Sequence, residues 1–263
     1  MKQRLGLILL ATIITTTFVI QILKLSNKSI AEEGHILFLL MITLLGILTL
    51  VAPLILLWLE ADKLDRFRID KYSLFTLGVC YLINLNYNRQ NYVIFIIIGF
   101  SLIYLVKIYH KKKGGIISSD LLWSAKAFAL ASAFILAIVV FQISIGSIVQ
   151  IPLLTGNVFV IMLRQVFTEL SFVPVEELFY RGFLWGYLIS IGWEERTVIW
   201  VQGGVFWITH VERLTTPISF FIFIPILTLI LSKLRQRSNQ VFPSIIAHVI
   251  INAAGALLNL ATI

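Results

Sequence analysis

The sequence predicts an all-α fold, a polytopic bundle of about eight membrane helices. Of its 263 residues, 59% are hydrophobic and only 13% charged, where a soluble domain has roughly 45–50% and about 25%. Mean hydropathy is +0.96. The apolar residues also form continuous runs, several of them near the ~20 residues that cross a bilayer. A transmembrane barrel would show short segments of alternating polarity instead.

The first run, residues 5–23, follows Lys2 and Arg4. A basic start before apolar residues is also the pattern of a secretory signal. This run is longer than a usual signal core and no small-x-small cleavage site follows it, so a retained membrane helix is expected. Residues 36–59 form the second span, with Pro53 placed to kink it. Residues 72–85 and 92–106 are shorter and flank a polar turn at 86–91, which reads as a helical hairpin. The uncharged stretch 127–163 is too long for one span. Gln150, Pro152, Gly156 and Asn157 divide it into a helix ending near Ile148 and another beginning near Asn157. Pro174 disfavours helix in the residue before it, so a break at 172–174 and a new helix from Val175 are expected. Helices at 197–210, 218–231 and 242–260 complete the chain.

Net charge is +8, with cations clustered at Lys2 and Arg4, 63–71, 107–113 and 233–237. Short basic gaps between apolar runs are the usual cytoplasmic loops. The first three clusters alternate correctly. The fourth does so only if one segment between Asn157 and Ile218 does not cross fully. A nucleic-acid partner is not expected, because no segment is long enough to build a basic soluble face. Cys80 is the only cysteine, which excludes an intramolecular disulfide and a thiolate metal cage. No repeat or linker stands out. The expected division is into N-terminal membrane helices, residues 1–120, and a core, residues 121–263.

Three polar patterns interrupt the apolar C-terminal helices: Glu176-Glu177-x-x-x-Arg181, Phe206-x-x-x-His210 and His248-x-x-x-Asn252. A charged group at bilayer depth costs roughly 2.5–3.5 kcal/mol on insertion scales. Residues four apart on a helix share a face, so Glu177 and Arg181 are expected to form an ion pair. Glu176 points about 100° away and is the better candidate general base, a carboxylate able to take a proton from water and return it. His248 and Asn252 share a face and can aim two donors at one point, as a developing oxyanion requires. Glutamate, histidine and amide together are the parts of a water-activating hydrolytic site.

These three patterns, in this order and with one helix between the second and third, resemble the signature motifs of the CPBP family. This is the Abi, or CAAX-protease-and-bacteriocin-processing, family of intramembrane endopeptidases. The resemblance covers about residues 155–260. It implies that Glu176 and His210 hold and activate the attacking water, and that His248 and Asn252 form the oxyanion hole. Glu177 and Arg181 would be structural or substrate-orienting. The family is often called a metalloprotease. Two histidines and a glutamate can complete a catalytic zinc site, so a Zn2+ ion, if present, is expected on Glu176, His210 and His248. No closely spaced pair such as His-Glu-x-x-His is present, and glutamate-driven chemistry is favoured.

The implied partners are the lipid bilayer and a membrane-associated or lipidated peptide or protein substrate. The location is the plasma membrane if the source is bacterial or archaeal. Two rivals remain: a non-catalytic bacteriocin-immunity or scaffold protein that keeps the motifs, and a proton-coupled transporter. Only one half of the chain carries polar breaks, whereas transporters often show them in both. Arg164 and Glu169 are expected to pair or to reach an interface. Gln142, Gln202 and Asn259 read as interhelical hydrogen bonds. Trp185, Trp193, Trp200 and Trp207 read as packing or interfacial anchors.

Overall fold

The apolar runs fold as helices, with no strand among the described residues. A computed structural model describes residues 2–26, 55–57, 59–60, 66–87, 119–144 and 158–257. Most of the expected 36–59 span, the 92–106 helix with its turn and basic loop, the punctuation at 150–157, and Asn259 lie outside the described residues. Eight helices are described. They are α1 (Lys2–Ser26), α2 (Lys71–Tyr87), α3 (Ser119–Ser144) and α4 (Val158–Leu170). The helix α5 is continuous through Val173–Glu177, Leu178–Leu184 and Trp185–Ser190, its middle segment wound as a π-helix. The last three are α6 (Glu195–Ile208), α7 (Ser219–Ser238) and α8 (Phe242–Leu257).

Two expected boundaries are corrected. The break before the Glu-Glu pair falls at Ser171–Phe172, where Ser171 N–H bonds the Thr168 carbonyl and Phe172 N–H the Glu169 carbonyl. The new helix opens at Val173, not Val175, because Pro174 sits in the first turn, where its missing N–H removes no intrahelical bond. The basic cluster 233–237, expected in a loop, is the last turns of α7. Arg235 and Arg237 complement the partial negative charge of the helix C-terminus. The chain leaves the helix at Asn239, which adopts left-handed φ 59° and donates its N–H to the Arg235 carbonyl at 3.0 Å, an ordinary helix stop.

Helix α8 packs against α2, α3, α4, α5 and α7 and so stands at the centre of the described bundle. On α3, Ala127, Ala131, Phe134 and Ile138 form one buried stripe against Leu227 and Leu231 of α7 and Ala247 and Ile251 of α8. Many other apolar residues of α3 are exposed, including Leu122, Phe128, Leu136 and Ile143. A helix that is hydrophobic all round and buried on one side faces lipid on the other. Among the described residues, Gly6–Leu23, Leu122–Phe141 and Ser219–Ser238 are long and apolar enough to cross a membrane. The chain is an integral membrane protein.

A second core cluster joins Leu10 and Ile13 of α1 to Phe67, Ile69 and Leu74, and to Phe183 of α5 and Phe206 of α6. Asp70 pins this side. Its Oδ1 accepts the N–H groups of Tyr72 and Ser73, and its Oδ2 accepts the Phe242 N–H at 3.2 Å, tying the start of α2 to the start of α8. Gly186 allows α5 to lie against Phe67, since a Cβ there would stand 2.1 Å from Phe67 Cδ1.

Candidate active site

The short helix start at Val173 places Glu176 and Glu177 at the threshold of the π-wound segment of α5. Glu177 and Arg181 are fully buried, and Arg181 Nη1 donates to Glu177 Oε1 at 2.9 Å. The same oxygen accepts a second bond, 2.8 Å long, from His248 Nδ1 on α8. Glu177 thereby links the first and third motifs through a single atom. Arg235 of α7 steadies the segment from behind, donating Nε–H to the Arg181 carbonyl at 2.9 Å while its guanidinium lies over the Trp185 ring.

The second motif enters through Phe206. Its ring lies beneath the Arg181 guanidinium, with Cζ 4.2 Å from the ring centroid. Its neighbours are His210, 4.4 Å between ring centroids, and His248, 5.9 Å away in an edge-on arrangement. A cation over an aromatic face is attracted by the ring quadrupole, more strongly when desolvated. His210 Nδ1 lies 2.7 Å from the Phe206 carbonyl oxygen. A carbonyl only accepts, so Nδ1 carries the proton. In a neutral ring that leaves Nε2 as a base. Alongside, Thr209 Oγ1 donates to the Phe206 carbonyl at 2.8 Å and receives the Tyr180 hydroxyl at 2.9 Å, a further link from α5 to α6.

Glu176 differs from its neighbour. It is half-buried, and no hydrogen bond engages its carboxylate among the described residues. Its electrostatic neighbours are His248, Glu177, Arg181 and Glu169. Those of His210 include His248, Arg213 and Arg181. Asn252 Nδ2 donates to Glu169 Oε2 at 3.0 Å. The six motif residues named from the sequence, with Phe206, therefore gather at one place on α5, α6 and α8 and in the turn that follows α6.

Glu169 is the residue misread from the sequence. It does not reach Arg164. Glu169 is buried and faces α8, while Arg164 is exposed. The position of Arg213 beside the site was not foreseen either, and neither was the part Phe206 plays as the floor between the two histidines. Gln202 does join two helices, accepting from Ser232 of α7 at 3.1 Å. Trp185 is buried packing, Trp193 and Trp200 are exposed, and Trp207 Nε1 donates to the Phe220 carbonyl at 2.7 Å.

The expected zinc ligands do not form a cage. Among the described residues no three His, Cys, Asp or Glu side chains are arranged to hold a metal ion. His248 Nδ1 is engaged by Glu177 Oε1.

Residues 155–254 match the family described as type II CAAX prenyl endopeptidase Rce1-like. The stretch 155–254 is therefore similar to the Rce1-like domain of the CAAX-protease-like family. The match takes in all three motifs. At the level of the family, the Rce1-like domain is that of a CAAX-protease-like intramembrane endopeptidase, a hydrolase of peptide bonds. No curated protein and no solved structure matches the chain.

Proposed function

We propose that this chain cleaves a peptide bond of a membrane-associated or lipidated peptide or protein, using Glu176 as the general base. The observation that carries the reading is the unequal condition of two adjacent carboxylates. Glu177 is fully buried and receives both Arg181 and His248 on one oxygen, so it is committed to holding the site together. Glu176 is half-buried and, among the described residues, no side chain is hydrogen-bonded to it, so it can take a proton from water. His210, protonated on Nδ1 by its bond to the Phe206 carbonyl, offers Nε2 to the same water and orients it.

The resulting hydroxide adds to the substrate carbonyl carbon. The charge that develops on the carbonyl oxygen meets the Asn252 amide and, in its protonated form, the second ring N–H of His248. One oxyanion donor is typically worth a factor of about 10²–10³ in rate. Glu176 then returns the proton to the leaving amine as the C–N bond breaks. The Glu177–His248 bond fixes the imidazole's orientation, the task a buried carboxylate performs for histidine in hydrolytic triads.

The test compares membrane-protein termini from cells expressing the wild type and Glu176→Gln. New termini present only with the wild type support proteolysis and identify a substrate. Identical termini, with both forms conferring the same phenotype, would overturn the reading in favour of a non-catalytic scaffold.

A further inference from the structure

The motif set leaves one buried carboxylate of the site without a task. Glu169 lies near the end of α4, seven residues before Glu176 and across the Ser171–Phe172 break. It is 7% exposed. Its Oε2 accepts the Asn252 amide at 3.0 Å, and its electrostatic neighbours are His248 and Arg213. An asparagine amide has two chemically different ends that can exchange by a half-turn of the side chain, one donating and one accepting. A carboxylate oxygen without a proton only accepts, so it selects the nitrogen end. An amide nitrogen has two hydrogens. With one given to Glu169, the second is held in a fixed direction and the flipped rotamer is disfavoured.

We infer that Glu169 is a positioning residue that sets which end of the Asn252 amide faces the substrate. This rests on the proposed function, in which Asn252 supplies a donor to the oxyanion. Glu169 does not touch the reacting atoms in this scheme and acts only through Asn252. Its shape requirement is length as well as charge. Aspartate is one methylene too short to keep the contact, whereas glutamine keeps the length. Glutamine can, however, present either its oxygen or its NH₂ group and so permits both orientations of Asn252.

The test uses the full-length protein in detergent and a synthetic peptide spanning the cleavage site found in wild-type membranes. Four variants are compared: Glu169→Gln, Glu169→Ala, Asn252→Ala, and the double variant Glu169→Ala/Asn252→Ala. A donor displaced by about 1 Å can lose up to ~10²-fold, so Glu169→Ala is expected to lower kcat roughly tenfold or more, with KM little changed. Glu169→Gln is expected to fall between it and the wild type. The double variant should match Asn252→Ala, because nothing remains for Glu169 to position. Wild-type kcat in both Glu169 variants overturns the inference, and so does a double variant whose losses multiply. If Asn252→Ala itself retains full kcat, the oxyanion assignment fails instead, which separates the two ideas. Gel filtration checks that each variant is folded, and the isosteric Glu169→Gln form keeps the test open if alanine there does not fold.

Discussion

Replacing Arg181 by alanine gives the sharpest test of how the site is held together. Glu177 and Arg181 are both 0% exposed and 2.9 Å apart. Removing one member of such a pair leaves the other charged and buried, at a cost of about 3–5 kcal/mol. Water cannot readily repair the loss, because both side chains are 0% exposed. At roughly 2–4 °C per kcal/mol for a chain of this size class, Arg181→Ala should lower the unfolding midpoint by roughly 6–20 °C. Glu177→Leu should cost at least as much, since it strands Arg181 and also the His248 Nδ1–H that shares Oε1. The double variant Glu177→Leu/Arg181→Leu removes both charges and strands only the imidazole N–H, a loss of about 1–3 kcal/mol. Its destabilisation should therefore be well below the sum of the single effects, a coupling of several kcal/mol. The assay is intrinsic-fluorescence melting of detergent-solubilised protein at one fixed scan rate, because unfolding of such proteins is often irreversible. An Arg181→Ala midpoint within 2 °C of the wild type, by the same ~2–4 °C scale, would refute the buried-pair account. Additive single and double effects would do so as well.

The same melting assay separates two glycines. Gly186→Ala drives a methyl into Phe67, with its Cα only 3.2 Å from the new Cβ, and should destabilise by about 1–3 kcal/mol as overpacking does. Gly204→Ala meets nothing within 4 Å and should be neutral or stabilising by up to ~1 kcal/mol, the helix preference of alanine over glycine. Tyr180→Phe removes the donor to Thr209 Oγ1. It should lower the midpoint by a few degrees, about 1 kcal/mol, while Thr209→Val, which also loses the bond to the Phe206 carbonyl, should lower it further.

What could be read from the sequence follows the reach of helical phase. Within a helix each residue advances by about 100°, so the pairing of Glu177 with Arg181 follows from spacing, whereas His210 lies past the end of α6 and still stacks near Phe206. Phase is lost at a break. Glu169 precedes Glu176 by seven residues, a spacing that would put both on one side of a continuous helix, but the Ser171–Phe172 turn separates them. No count along the chain says that Glu169 faces Asn252. Charge patterning failed for a different reason at 233–237. Cations are favoured both in cytoplasmic loops and in the last turns of helices, and only the left-handed Asn239 marks where α7 ends. The third kind of missing knowledge is tertiary. Nothing in His248-x-x-x-Asn252 tells which glutamate the imidazole will choose.

That choice decides the division of labour between the two neighbouring carboxylates. Arg181 alone would already have favoured Glu177 as its partner, four residues away. His248 adds a second donor to the same oxygen, and the Phe206 ring closes the underside of Arg181. Both hydrogen bonds fall on Oε1 of a carboxylate that is 0% exposed, so Glu177 is enclosed where Glu176 is half-buried. None of these contacts restrains Glu176. In the proposed mechanism, Glu177 fastens the three motif helices and proton transfer falls to Glu176.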